Sequence, residues 1–128
     1  MAFSHTLAQQ ISTSGNTISK DNTYSGGSQT SVDESIPDSS SDLEVAFTLD
    51  VSEIQAIYIV SDQNMTLETN SGAAPDDTIS LVAGVPYVWH TGSYFVNKLT
   101  TDITALFMTN SSGSAARLQI EVVFDPTP

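Results

Sequence analysis

Leu43-Glu44-Val45-Ala46-Phe47-Thr48-Leu49-Asp50 alternates apolar and polar residues almost without a break. Successive side chains of an extended chain point to opposite faces, so Leu43, Val45, Phe47 and Leu49 share one face, with Glu44, Thr48 and Asp50 on the other. The same cadence recurs downstream. Residues 54–60 form the most apolar stretch, and the run Ala56-Ile57-Tyr58-Ile59-Val60 is continuous, which predicts a central strand covered on both faces. Ser61-Asp62-Gln63-Asn64 reads as a hairpin-like turn into Met65-Thr66-Leu67-Glu68-Thr69. Residues 78–82 and 85–89 are expected to pair around Ala83-Gly84. Residues 104–109 and 117–124 are expected to close a hairpin across Asn110-Ser111-Ser112-Gly113-Ser114. Leu118, Ile120, Val122 and Phe124 then face inward, and Pro126 and Pro128 end the ladder because proline cannot donate to it. A single helical turn is expected within residues 97–104.

Upstream of residue 43 the composition shifts to Ser, Thr, Asn, Gln and Gly with isolated apolar residues. Residues 6–13 and 30–36 look strand-like. Ser14-Gly15-Asn16 reads as a tight turn and Ser25-Gly26-Gly27-Ser28 as a loop. The expected organisation is a polar segment over residues 1–42, forming an arm or outer strands, and a β-sandwich core over residues 43–128. About seven to nine short antiparallel strands in one all-β domain fit such a sandwich, with a jelly roll among the architectures this count permits.

The 128 residues suffice for one two-sheet core. Fifteen Asp and Glu face only Lys20, Lys98 and Arg117, giving a formal charge of −12. Without a basic stripe to neutralise phosphates, nucleic acid is not an expected partner, and anionic membrane surfaces are disfavoured. Basic protein surfaces, divalent cations and plain solubility remain as roles for the charge. Cysteine is absent, which removes disulfides and thiolate metal sites. The opening Met-Ala-Phe-Ser-His-Thr-Leu-Ala-Gln-Gln has neither the basic nor the apolar region of a signal peptide, so synthesis in the cytoplasm is expected.

Reactive chemistry does not stand out. His5 and His90 lie in unlike contexts, and no nucleophile–base–acid set rises above the abundance of Ser and Asp. Asp33-Glu34, Asp76-Asp77 and Asp62 offer oxygen ligands of the kind calcium takes, yet none sits in an EF-hand spacing, and carboxylates in such turns ordinarily cap backbone N–H groups. No cofactor and no metal centre are expected. Aromatic residues concentrate in Tyr87-Val88-Trp89-His90-Thr91-Gly92-Ser93-Tyr94-Phe95. Trp89 is expected in the core; Tyr94 and Phe95, following Gly92, are expected at the surface.

Ile57-Tyr58-Ile59-Val60-Ser61-Asp62, Met65-Thr66-Leu67-Glu68-Thr69-Asn70, Ile79-Ser80-Leu81-Val82-Ala83-Gly84-Val85-Pro86-Tyr87-Val88-Trp89 and Leu118-Gln119-Ile120-Glu121-Val122-Val123 resemble, in strand cadence, small virion proteins of tailed bacteriophages. Among these the chain resembles the capsid cement, or decoration, proteins. The resemblance implies a non-enzymatic structural protein on the outer capsid surface of the virion. It would bind the major capsid protein and copies of itself, as dimer or trimer, and stabilise the shell by bridging capsomers. Tyr94, Phe95, Leu7, Ile11, Val32 and Ile36 are the candidate interface residues. The alternative is a carbohydrate-binding or tail-associated phage module using Trp89, Tyr94 and loop carboxylates, with calcium as an optional ligand.

Overall fold

Ten strands form among the described residues, most of them where β-branched and aromatic residues at alternating positions favour a pleated, half-buried surface. The computed structural model describes residues 2–126. Its strands are β1 (Phe3–Ser12), β2 (Thr17–Gly26), β3 (Ser28–Ile36), β4 (Ser40–Val45), β5 (Ile54–Ser61), β6 (Met65–Thr69), β7 (Thr78–Leu81), β8 (Tyr87–His90), β9 (Leu106–Asn110) and β10 (Ala116–Phe124). Two four-stranded antiparallel sheets, ordered β3-β10-β5-β8 and β4-β9-β6-β7, face each other as a sandwich, and β1 and β2 form a separate two-stranded ribbon.

The pairing is nested. β3 pairs with β10, β4 with β9, β5 with β8 and β6 with β7, so residues 28–124 behave as one long hairpin wrapped alternately onto the two sheets. Consecutive strands of the sandwich therefore change sheets, except at β6–β7. This corrects the local hairpins expected from turn residues. β7 and β8 meet only through the Val82–Val85 bridge, β9 and β10 lie in opposite sheets, and the 61–64 turn carries the chain across the sandwich. Turn-forming residues mark where the chain bends but not which strand it then joins.

Leu118, Ile120 and Val122 of β10, Ile57 and Ile59 of β5, Leu67 of β6 and Met108 of β9 are buried between the sheets. The alternation from Val45 sends Phe47 and Leu49 inward as expected, but the strand does not run through to Asp50. β4 stops at Val45, whose partner Leu106 begins β9, and only the Leu49–Ile103 bridge continues the ladder. Leu43, at the rim of this edge strand, stays 39% exposed.

The sandwich takes its first strand, β3, from the polar segment of residues 1–42. β10 needs a partner on its outer edge, and β3 supplies one from Ser28↔Phe124 to Ile36↔Ala116. Val32 and Ile36 are consequently core residues, 8% and 1% exposed, and are withdrawn as candidates for an interface between molecules. Among the described residues the one helical turn is a 3-10 turn at Val51–Glu53, where the Asp50 carboxylate accepts from Ser52 N. Residues 97–104 are irregular instead, and Leu99 and Ile103 plug the core from that loop.

Asn110 locks one end of the two sheets together. It is fully buried, and its Nδ2 donates to the carbonyls of Ile36 (3.0 Å), Pro37 (3.3 Å) and Ser114 (2.9 Å), while Oδ1 accepts from the backbone and side chain of Ser112. Truncating it removes the bond to the buried Ile36 carbonyl, a loss of roughly 1–3 kcal/mol, together with four part-buried bonds to the flanking loop. Asn110→Ala should lower the unfolding free energy in urea by about 2–4 kcal/mol, whereas Thr6→Ala on the exposed ribbon should change it by under about 0.5 kcal/mol.

Candidate interaction surface

The ribbon of β1 and β2 docks by its base on the outer face of sheet β3-β10-β5-β8. That face carries Ala56 and Val123, paired across β5 and β10 and buried to 3% and 0% exposure although they point away from the core. The covering reaches Ala56 only; Tyr58 on the same face stays 39% exposed and Val60 half-buried, so the strand expected to be covered on both faces is so covered only at its start. Gly26 permits the close approach, because a Cβ there would land on the Phe124 carbonyl. His5 Nε2 lies 2.8 Å from Gln29 Oε1, and the Tyr24 ring stacks on His90 at a centroid distance of 5.0 Å, with its hydroxyl 2.8 Å from Nδ1. Both histidines thus anchor the ribbon. Leu7, a candidate for contacts between molecules, is half-buried against its own sheet. It helps line an open groove of about 380 Å³ with His5, Ala56, Tyr58 and Glu121.

Beyond Leu7 the ribbon loses this support. Every residue from Ala8 to Asp21 is exposed, and Ile11 and Ile18, directly paired across the two strands, are 62% and 65% exposed. The sequence marks Ile11 but not Ile18, because β2 was not legible: residues 17–26 have few apolar positions and no alternation.

A second projection follows β8. Gly92, with φ of 82°, turns the chain, and Ser93 N donates to the His90 carbonyl. Tyr94, Phe95 and Val96 then stand clear of the protein at 101%, 81% and 89% exposure. Their backbone is held from below. The Trp89 indole N–H donates to the Phe95 carbonyl (3.0 Å), Phe95 N to Ser93 Oγ, and the Tyr87 hydroxyl to Asn97 Oδ1. Trp89 packs on the core as expected, but its polar edge serves the loop. Tyr94 and Phe95 are exposed as their position after Gly92 predicts; Val96 was not singled out.

The loop carboxylates bond to the protein's own backbone and side chains. Asp77 accepts from Thr100 N (2.8 Å), Thr100 Oγ1 (2.7 Å) and Thr101 N (3.1 Å), clamping the segment that follows Val96. Partial burial pushes its pKa up, but the bonds from Thr100 and Thr101 outweigh it and leave the carboxyl below the ordinary 3.8. Asp76 accepts from Asn70, Asp62 from the backbone of Arg117, and Asp33 pairs with the Arg117 guanidinium at 2.8 Å on the exposed sheet face. Among the described residues no three His, Asp or Glu side chains gather closely enough to hold a metal ion, and no helix is long and apolar enough to cross a membrane.

No family model matches the chain, and neither a curated protein nor a solved structure is significantly similar to it.

The lowered Asp77 pKa has a defined sign. A carboxyl held below its unfolded value contributes stability that is complete above that value and is lost as pH falls through the lower, folded one. Thermal melts from pH 7 to pH 2 should therefore show the wild type losing stability as pH drops below about 3.8. Asp77→Asn should begin with a lower Tm at pH 7 and show a shallower acid limb.

Proposed function

We propose that the chain is a non-enzymatic virion structural protein, a capsid cement protein that binds the outer head surface of a tailed phage and bridges capsomers. Its partners in this reading are the major capsid protein and further copies of itself. The observation that carries the proposal is the Tyr94-Phe95-Val96 projection. Two aromatic rings and a valine held outward on a backbone pinned by Trp89, Ser93 and Asn97 form a ready-made anchor. Aromatic residues dominate binding energy at protein interfaces, and pre-ordering the loop lowers the entropy lost on docking.

The nested strand pairing supports the same reading. Eight strands in the orders β3-β10-β5-β8 and β4-β9-β6-β7 correspond, in our reading, to a jelly roll, an architecture shared by viral capsid and lectin domains. Because one fold hosts many functions, the weight rests on the projection. The charge of −12 favours a basic protein surface over any phosphate backbone. The carbohydrate-binding alternative draws less support. Of its two stacking residues Tyr94 is exposed, but Trp89 is packed on the core with its N–H engaged, and Asp62, Asp76 and Asp77 accept hydrogen bonds from the protein itself.

Co-sedimentation with expanded shells of the major capsid protein encoded in the same genome tests the proposal. Saturable binding at a stoichiometry set by shell symmetry is expected, and a genome without such a protein, or shells that stay bare, overturns it. Tyr94→Ala/Phe95→Ala should weaken binding at least about thirtyfold, the loss of about 2 kcal/mol typical of an interface hot spot, while leaving Tm unchanged.

A further inference from the structure

On the outer face of sheet β3-β10-β5-β8, next to the docked ribbon, lies a pair of side chains that the Tyr94-Phe95-Val96 projection does not use. Alternation along β5 and β10 sends Ile57, Ile59, Ile120 and Val122 into the core and leaves Tyr58 and Glu121 exposed on this face. The two are direct partners across the strands, and residues so paired hold their Cβ atoms about 4.5–5.5 Å apart. β1 stands beside them. His5 and Leu7 line the open groove of about 380 Å³ together with Ala56, Tyr58 and Glu121. Tyr58 also borders a second groove of about 360 Å³, which runs between residues 8–10 and the pair Pro86 and Val88.

Glu121 is the one carboxylate lining either groove among the described residues, and no Lys or Arg lines them. The cations of the chain are placed elsewhere. Arg117 shares this face but gives its guanidinium to Asp33 through two parallel bonds, Nε to Oδ1 at 3.0 Å and Nη2 to Oδ2 at 2.8 Å. It is the one Lys or Arg within ion-pair distance of a carboxylate among the described residues. Lys20 lies opposite Gln9 on the outer ribbon, and Lys98 lies in the loop beyond β8. His5 is turned to Gln29. An exposed aromatic ring therefore stands next to a carboxylate that no cation of the chain meets.

That combination defines its occupant. The carboxylate, within a chain of charge −12, attracts a cation, and the face of the Tyr58 ring adds to the attraction. An ammonium is a compact, strongly hydrated point charge. A guanidinium is planar and weakly hydrated, so it stacks on a ring while its fork of N–H groups meets a carboxylate alongside. Leu7 and Ala56 supply apolar surface for an alkyl stem. We infer that the Tyr58–Glu121 groove receives an arginine side chain presented by a protein partner, its guanidinium stacked on Tyr58 and donating to Glu121. The groove is open, so a side chain on another protein's surface enters it without rearrangement. It shares no residue with the Tyr94-Phe95-Val96 projection and stands whether or not the chain binds shells.

Amide chemical-shift titration of the full chain with the peptide acetyl-Gly-Arg-Gly-amide tests it. The control peptide carries citrulline, which keeps the shape of arginine and loses its charge. Saturable shifts confined to residues 5–7, 56–58 and 121 are expected, at a Kd in roughly the millimolar range, with the citrulline peptide at least about tenfold weaker. Glu121→Gln should weaken arginine binding at least about tenfold, and Tyr58→Leu, which keeps apolar contact but removes the ring, about threefold, both at unchanged Tm. Glu44→Gln makes the same charge change on β4 of the other sheet and should leave binding as it was. Equal weakening by Glu44→Gln, or shifts spread over the acidic surface, reduces the effect to bulk charge and overturns the site. Citrulline binding as tightly as arginine, or no shift in the groove, overturns it too. No shell is present in this titration, so its result is separate from that of co-sedimentation.

Discussion

The C-terminal strand β10 is the constraint on which the rest of the structure depends. It lies between β3 and β5, and Leu118, Ile120 and Val122 on one face fill the space between the sheets. On its other face Val123 is fully buried beneath the base of the ribbon. One strand thus belongs to two interiors. Because β10 and its partner β3 come from opposite ends of the sandwich sequence, the domain closes only when both ends are in place. Almost every pairing in the sandwich is long-range, the arrangement in which loop closure must precede its reward.

That closure leaves the loops to do different work at the two ends. At one end Asn110 fills the gap between sheets with hydrogen bonds to three carbonyls. At the other, Asn70 and Asp77 gather the backbone of residues 100–104, and Leu99 and Ile103 enter the core from the same segment. The loop that begins at Gly92 is therefore fixed at its far end by apolar burial and at its near end by Trp89. Its exposed residues are presented from a rigid frame, which is why their exposure reads as recognition rather than slack chain.

The core faces of the later strands were legible in the residues themselves. Val45, Phe47 and Leu49, Met65 and Leu67, and Leu118, Ile120 and Val122 all point where period-two alternation sends them. Tyr94 and Phe95 were legible as surface residues because a glycine turn precedes them. Less was legible upstream. β3 was legible as a strand over residues 30–36, but its place, in an arm or among the outer strands, was not, because Val32 and Ile36 are sparse among Ser, Asp and Glu, as befits an edge strand with one face in solvent. β2 gave no signal, since its half-exposed residues need no apolar alternation. The anchoring roles of Tyr24 and His90 were equally silent, for they arise between residues 66 positions apart.

The sequence by itself determined an all-β chain, the side of most strands that turns inward, the bends between them and the strong negative charge. Each of these follows from local properties: side-chain alternation, backbone preferences of Gly, Asn and Pro, and a count of ionisable groups. Only the tertiary structure decided which strands pair, where the ribbon separates from the sandwich, and which apolar residues remain exposed. Pairing depends on contacts between distant segments competing for the same edge, and a residue such as Ile36 or Ile18 is core or surface according to whether a partner strand reaches it.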